Sequence, residues 1–287
     1  MWYAMSNLQQ SHDLSERLIR AISDWRTLTG FDDDIEQLLE DGADINRLHG
    51  TLLPLHCACM VADSYCLRLL LQKGAEVNAR DGYGRAALHY AAERDEVCLE
   101  MLLDAGADPD IPDGNQDTAL HWAAYKNKWQ CVKALLLRGA TVDAVDFNSD
   151  TPISWSAMKG NLESLKELLD YNARVDIENY NGQTALMRCL SIQASGLNTH
   201  KDDACLDLLL RACGQFDLRD PRCRLPTPVA LDNRLSQQLL QYCENPQPLQ
   251  NLCRYAIRRY LGPCFLPNVV PQLPIPSRLH DFALLEP

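Results

Sequence analysis

Apolar residues recur along most of this chain at the spacing of short amphipathic helices, and residues 115–143 show the pattern most completely. Their apolar positions form two clusters with helical spacing: Leu120, Ala123 and Ala124 in the first, and Cys131, Val132, Leu135 and Leu136 in the second. Asp117-Thr118 precedes the first cluster and offers a side-chain oxygen that can cap a helix. Gly139 follows the second cluster, where a left-handed residue ends a helix. The stretch therefore predicts a helix, a tight turn, a second helix and a polar loop, here called a finger.

This unit recurs along the chain with an almost constant period. The position of Thr118 is matched at steps of 33, 32, 33 and 33 residues, in the series Leu53, Ala86, Thr118, Thr151 and Thr184. Glycine ends the second helix in four units, and Asn172 replaces it in the fifth. A period near 33 with an opening such as Thr118-Ala-Leu-His121 is typical of ankyrin repeats. The chain thus resembles an ankyrin-repeat protein over roughly residues 31–220, which implies an all-α solenoid of about six to seven repeats with degenerate ends.

The ends of this array are less regular than its middle. Residues 13–25 begin with a capping-box-like sequence and predict one helix, and residues 35–39 predict a second that ends at Gly42. Thr184 to Cys213 spans 29 residues where Thr118 to Gly139 spans 21, so eight residues are inserted, and the polar stretch 191–201 is their expected place. Residues 221–243 are interpreted as a seventh, degenerate repeat that closes the array.

Proline content changes sharply near the C-terminus. Eight of the 15 prolines fall in the last 42 residues, which places a domain boundary at Asn245-Pro246. We therefore predict an N-terminal capping helix in residues 1–30, an ankyrin array in residues 31–245 and a separate small helical domain in residues 246–287.

A second amphipathic pattern lies just beyond that boundary. One apolar stripe at helical spacing is formed by Leu249, Leu252, Cys253, Ala256, Ile257 and Tyr260. Pro248 suits the start of this helix and Gly262-Pro263 its end, while Arg254, Arg258 and Arg259 are expected to project away from the stripe. A helix of this length cannot bury such a stripe alone. The stripe is expected to pack either on the last ankyrin repeat or in a groove of another protein.

The order Pro-Leu-x-x-Leu-Cys-Arg-x-x-Ile-Arg-x-x-Leu, followed by Leu-Pro-x-Pro, resembles the SOCS box, the module named after suppressors of cytokine signalling. The whole chain is thus similar to the ankyrin-repeat and SOCS-box family. The resemblance implies that the tail helix binds Elongin C within the Elongin B/C pair, with Leu249 as anchor and Leu252, Cys253 and Ile257 beside it. It also implies that the Leu-Pro-x-Pro segment selects cullin 5 through Leu273, Pro274, Ile275 and Pro276.

Charge and hydropathy restrict the possible partners. The chain carries 39 acidic and 27 basic residues, a net charge of −12, which disfavours nucleic acid because an acidic surface repels phosphate. No run approaches the ~20 apolar residues of a membrane span, and the first residues lack the pattern of a signal peptide. We therefore expect a soluble cytoplasmic protein without a membrane partner.

The twelve cysteines suggest packing rather than disulfides or zinc. Four of them occupy one equivalent position at the start of the second helix, with Ser164 in the remaining repeat: Cys66, Cys98, Cys131 and Cys205. A small residue that recurs once per repeat is expected to be a buried packing residue. Since no Cys-x-x-Cys pair occurs, we expect reduced thiols.

Catalysis by this chain is not expected. His56, His89 and His121 recur once per repeat, and helices of neighbouring repeats stack ~8–10 Å apart, too far to share one zinc ion. We interpret them as structural and predict no metal and no cofactor. Cys253 lies on an apolar helical face, where a thiol is expected to be inert.

The resemblance implies a substrate-recognition subunit of an Elongin B/C–cullin 5 ubiquitin ligase, in which the RING partner supplies a charged conjugating enzyme. The repeats would then hold a protein substrate, whose identity the sequence does not give. Exposed aromatics in the fingers are the candidate contacts, namely Tyr83, Phe147 and Tyr180. The alternative is a non-catalytic ankyrin scaffold or inhibitor whose tail only caps the repeat stack.

Overall fold

The computed structural model describes residues 2–23, 34–193, 200–213, 236–237, 239–240, 249–275 and 278–285. Within these ranges the secondary structure is helical, and the extended pairings are isolated bridges such as that between His49 and Leu52. None of the helices described is both long and apolar enough to cross a membrane. The chain divides into two compact units, residues 1–122 with 137–140, and residues 123–136 with 141–287.

The first unit begins with a long helix and continues with pairs of short helices. Its helices are α1 (Trp2–Ile22), α2 (Ile35–Glu40), α3 (Pro54–Met60), α4 (Ser64–Gln72), α5 (Ala87–Arg94) and α6 (Glu96–Asp104). The second helix of each regular pair is capped by an aspartate, since the carboxylates of Asp63 and Asp95 each accept the amide hydrogen three residues later at 3.0 Å. The leucines that follow at helical spacing, such as Leu67 and Leu99, are fully buried between the pairs.

Helix α7 (Ala119–Tyr125) begins in the first unit and ends in the second. The second unit then contains most of α8 (Trp129–Leu137) and all of α9 (Pro152–Lys159), α10 (Leu162–Asp170), α11 (Ala185–Gln193) and α12 (His200–Ala212). It also contains the C-terminal helices α13 (Leu249–Leu261), α14 (Leu266–Val269) and α15 (Arg278–Ala283), with a 3₁₀ turn at Val270–Gln272. The tail helices thus belong to the same compact unit as the last described repeats.

The second helices of the repeats end in left-handed residues, as predicted. Gly74, Gly106 and Gly139 have φ of 95°, 89° and 89°, and Asn172 takes the same place with φ of 62°. A left-handed residue turns the amide of the following residue back towards the helix, and Ala173 N–H accordingly donates to Leu168 O at 2.9 Å.

The cysteine interpretation agrees with the burial pattern. Cys66, Cys98, Cys131 and Cys205 are all buried, and so is Ser164 in the remaining repeat. Burial raises the pKa of the Cys205 thiol to about 12, so this group stays protonated and behaves as a small apolar side chain.

Three expectations about the ends of the array need correction or lie outside the described residues. The N-terminal helix begins at Trp2 rather than near Asp13, so the capping-box-like sequence lies inside a helix. Part of the insertion lengthens α12, which has 13 residues where α10 has 9. Residues 24–33, 194–199, nearly all of the predicted seventh repeat and the boundary at Asn245-Pro246 lie outside the described part.

Candidate protein-interaction surfaces

Two arginines hold the tail helix α13 against the last described repeats. Arg254 and Arg258 are buried, with 5% and 6% of their surfaces exposed. Arg254 Nη1 donates to the Arg211 carbonyl at 2.9 Å, in the last turn of α12. Arg258 donates through Nη2 to the Leu169 carbonyl in the last turn of α10, and through Nη1 to Ala283 O at 3.2 Å. Cations at helix C-termini satisfy carbonyls that lack an intrahelical partner and face the negative end of the helix dipole.

The helical spacing predicted that the three arginines project away from the apolar stripe, but it did not predict this docking. Arg259 is exposed, whereas Arg254 and Arg258 are buried on the repeats. Burial lowers the pKa of Arg258 to about 10, which still leaves the guanidinium charged near neutral pH. The charged guanidinium of Arg258 therefore donates hydrogen bonds to carbonyls of two other helices, α10 and α15.

Polar contacts at the end of α13 complete the docked face. Asn172 Nδ2 donates to the carbonyl of Arg258 at 2.7 Å and also to that of Gly262. Tyr255 Oη donates to Asp176 Oδ2 at 3.1 Å, and the Tyr171 and Phe265 ring centroids lie 4.7 Å apart. Side-chain hydrogen bonds thus connect α13 with the repeats, and a ring contact follows just beyond the helix.

The apolar stripe of α13 lies on the other side of the helix. Leu252 and Tyr260 are 36% and 91% exposed, and Cys253 and Ala256 are also exposed, while Ile257 is half-buried. Leu252 and Arg254 are two positions apart, which places them roughly 200° apart around a helix. Leu249 is the first residue of α13, and its side chain lies outside the described part. Four described residues of the stripe are therefore accessible to a partner: Leu252, Cys253, Ala256 and Tyr260.

The residues after α13 form a small core of their own. Leu266, Val270 and Ala283 are buried, and Leu261, Leu273 and Leu284 pack against them. In the Leu-Pro-x-Pro segment, Leu273 is therefore partly an internal residue, whereas Pro274 is exposed and Ile275 is half-buried. Leu273 is extended, with φ of −68° and ψ of 142°, and Ile275 N–H donates to its carbonyl at 2.8 Å. Pro276 lies outside the described residues.

The fingers are built around one carboxylate or amide in each repeat. Asp146 Oδ1 accepts the N–H groups of Asn148 and Asp150, both at 2.8 Å, and Asn179 Oδ1 accepts two in the same way. These local hydrogen bonds hold the finger in a tight turn, so the side chain that follows Asp146 or Asn179 points into solvent. Phe147 and Tyr180 are consequently 71% and 80% exposed, and the fingers are joined by Tyr180 N–H donating to Asn148 O at 3.0 Å.

In the first unit the equivalent finger carries Tyr83, which is 65% exposed. Asp81 Oδ1 accepts its amide hydrogen at 2.8 Å. The structure therefore places each of the three predicted aromatics at a finger tip on the protein surface.

The repeated histidines are structural, as the sequence analysis predicted. His56 Nδ1 accepts the Leu53 N–H at 3.2 Å, and its Nε2 lies 3.0 Å from the Arg85 carbonyl. His89 repeats this with Ala86 N–H and the Asp117 carbonyl, at 3.1 and 3.0 Å. Each ring must carry its proton on Nε2 to make both bonds, so it joins one helix start to the loop before the next helix.

Sequence reasoning found the apolar stripe and the fingers but missed the docking face of α13. The one available signal was Asn172, which stands where the other repeats have glycine. Its side chain reaches α13, 86 residues further along the chain.

Comparison with known proteins agrees with this two-part organisation. A family model described as ankyrin repeats matches residues 18–113, 55–146 and 120–220, and a model described as SOCS box matches residues 245–282. The chain is 60% identical over 285 residues to Ankyrin repeat and SOCS box protein 8 of Mus musculus, Bos taurus and Homo sapiens, covering 99% of this chain and 98% of each relative.

Both modules mediate interactions rather than catalysis, and their combination supports a role as a substrate-recognition adaptor for cullin-RING ligases. The matches also confirm the predicted all-α ankyrin fold with a helical SOCS box. This chain belongs to the ankyrin repeat and SOCS box protein family.

Proposed function

We propose that the chain is the substrate-recognition subunit of an Elongin B/C–cullin 5 ubiquitin ligase. The observation that carries the proposal is the division of α13 into two faces. Arg254 and Arg258 are buried on the repeats, while Leu252 and Tyr260 on the other face remain exposed. If the tail only capped the repeat stack, as in the scaffold alternative, the apolar stripe would be the buried face.

An exposed apolar stripe on a fixed helix suits a groove in a partner. Contiguous apolar surface is costly to leave in water, and helix-in-groove recognition uses anchors at spacings of three and four residues. We assign this face to Elongin C, with Leu249 as the anchor and Leu252, Cys253 and Ile257 as flanking contacts. The exposed thiol of Cys253 then becomes a packing group in the complex rather than a nucleophile.

The segment from Leu273 to Pro276 is assigned to cullin 5. Leu273 rests on the small core formed with Leu266 and Val270, which fixes the backbone before Pro274. The proline is exposed, so the segment presents an extended, restrained surface to a partner. The RING partner of the cullin would bring the conjugating enzyme that carries ubiquitin.

In this proposal the chain positions the substrate for ubiquitin transfer and supplies no catalytic group. A substrate held on the repeats stays close to the charged conjugating enzyme, so attack by its lysine becomes effectively intramolecular. We assign substrate contact to Tyr83, Phe147 and Tyr180, because rigid exposed aromatics on hydrogen-bonded loops lose little entropy on binding. A cytoplasmic location belongs to the same proposal, since buried free thiols suit a reducing compartment.

The adaptor assignment is tested by co-expression with Elongin B and C followed by size-exclusion chromatography. The wild-type chain should form a stoichiometric complex, and the Leu249→Ala/Cys253→Ala variant should lose affinity by at least about tenfold, since each truncation removes part of a buried anchor. Val97→Ala, at an exposed apolar residue in the repeats, is the matched control and should bind like wild type. A wild-type chain that stays uncomplexed would refute the proposal.

The finger assignment is tested with the Phe147→Ala/Tyr180→Ala variant. Because both rings are exposed, the free energy of unfolding should change by less than about 0.5 kcal/mol. Proteins that accumulate on the wild-type complex when its cullin is inactive should be captured less by this variant. Leu137→Ala, another exposed apolar residue, serves as the control. Equal capture by the variant would exclude these tips as the substrate surface.

A further inference from the structure

Five repeat ends have alanine directly after the position that ends the second helix. Glycine occupies that position in four of them, and Asn172 occupies it in the fifth. The backbone there has φ of 62°, a conformation that glycine adopts more readily than asparagine. Backbone geometry alone therefore gives no advantage to asparagine at this position, and its side chain must account for its presence.

The side chain of Asn172 caps a helix that belongs to another module. Its Nδ2 group donates to the carbonyls of Arg258 and Gly262, at the C-terminal end of α13. Carbonyls in the last turn of a helix have no intrahelical partner, and here one buried amide supplies two donors. The repeat end thus provides the C-terminal cap of the tail helix.

Arg258 makes the reciprocal connection. It extends from α13 into the repeats and donates to the Leu169 carbonyl, three residues before Asn172. Its other terminal nitrogen donates to Ala283 O in α15 at 3.2 Å. Asn172 and Arg258 therefore tie the ends of α10, α13 and α15 together, which fixes the rotation of α13 about its own axis.

We propose that Asn172 and Arg258 are positioning residues for ubiquitin transfer. By fixing the rotation of α13, they set the direction in which its apolar stripe faces, and hence the direction in which the bound ligase core extends from the repeats. A fixed link keeps acceptor lysines within a limited zone near the charged conjugating enzyme, whereas a loose link spreads them over a larger volume. This inference rests on the proposed ligase function and adds to it the residues that set the geometry.

The test variant is Asn172→Gly, which installs the residue found at the other repeat ends. It keeps the left-handed backbone and removes only the two donors to α13. The matched control is Asn127→Gly, because Asn127 is also left-handed, with φ of 56°, and its side chain also makes two hydrogen bonds, to Glu163 and Ser164. Those bonds stay within the repeats. Arg258→Lys is a second variant, since lysine retains the charge but cannot reach two carbonyls as a planar fork.

The full chain is assembled with Elongin B/C, cullin 5 and its RING partner, and ubiquitin attachment to its own lysines is mapped. The lysines available as acceptors are Lys73, Lys126, Lys128, Lys133, Lys159, Lys166 and Lys201. Hydrogen exchange of the α13 amides is measured in the free chain. Loss of two hydrogen bonds should raise exchange of the last turn of α13 by about tenfold or more.

In Asn172→Gly and Arg258→Lys we expect adaptor affinity within about twofold of wild type, faster exchange in α13, and modification spread over lysines that the wild type leaves unmodified. Asn127→Gly should keep the wild-type lysine pattern. An unchanged lysine pattern in both test variants, with an active wild-type complex, would overturn the positioning role while leaving the proposed function intact. Absence of adaptor binding or of ubiquitin transfer in the wild type would instead overturn the proposed function itself.

Discussion

The buried histidines make the stability of the repeats depend on pH in a way that a double substitution can isolate. His56 and His89 each accept a backbone N–H through Nδ1 and donate through Nε2 to a carbonyl of the next loop. Replacing both by serine installs the residue that this chain carries at the equivalent position, Ser154. The double variant should be less stable than wild type near pH 7.5, by about 1 kcal/mol for each hydrogen bond lost.

The sign of the pH effect follows from the histidine pKa values. Burial lowers the pKa of both His56 and His89 from the ordinary value of 6.5. The folded chain therefore binds fewer protons than the unfolded chain below about pH 6.5, so stability is fully present above that pH and is lost as the pH falls. If both rings stay neutral in the folded state at about pH 5.5, each costs about 1.4 kcal/mol of unfolding free energy there. Asp81 and Asp113 act in the opposite direction, so this figure is an upper limit.

Urea unfolding followed by circular dichroism at several pH values measures the effect. The gap in unfolding free energy between wild type and the His56→Ser/His89→Ser variant should narrow by up to about 2.7 kcal/mol between pH 7.5 and 5.5. Other groups that titrate in this window, including His49, are present in both proteins and cancel from the difference. A gap that stays constant with pH would refute the assigned protonation state of these rings.

Two further predictions concern packing within the second unit. Ser164→Cys should stabilise the chain by about 1 kcal/mol in urea unfolding, because the buried Ser164 hydroxyl has no hydrogen-bond partner within the described residues and four equivalent positions carry cysteine. A loss of stability would show that the hydroxyl is satisfied. Gly160→Ala should cost about 1–3 kcal/mol more than Gly139→Ala, since both glycines have positive φ but only at Gly160 would the new methyl group meet the buried carboxylate of Asp202. Equal losses would contradict this packing.

The regular repeats could be predicted from sequence because their determinants are local. An N-cap, an apolar face and a left-handed end residue lie within one period, and each acts on its own helix. The phase of Cys66, Cys98, Cys131 and Cys205 likewise predicted burial, since one position in each copy meets the same environment. His56 and His89 were recognised as structural by the same argument.

The α13 docking face could not be predicted in this way because its partners are far away in sequence. Arg258 and the Leu169 carbonyl are separated by 89 residues, and a backbone carbonyl leaves no mark on residue type. An arginine on a predicted helix is ordinarily a solvated group, so the sequence pattern gave no reason to bury Arg254 or Arg258. The predicted start of the first helix was wrong for a different reason. A capping-box-like sequence at Asp13 is also compatible with the middle of a longer helix.

The chemistry of the docking face explains why one short helix can serve two modules. Had α13 packed on the repeats through Leu252 and Ala256, the same residues could not also fill a groove in a partner. Docking instead uses guanidinium and amide donors on carbonyls at helix ends, which need few apolar contacts. The apolar face is thereby held in a fixed direction and kept free. A helix divided in this way connects target and ligase through one rigid element, so its rotation becomes part of the mechanism.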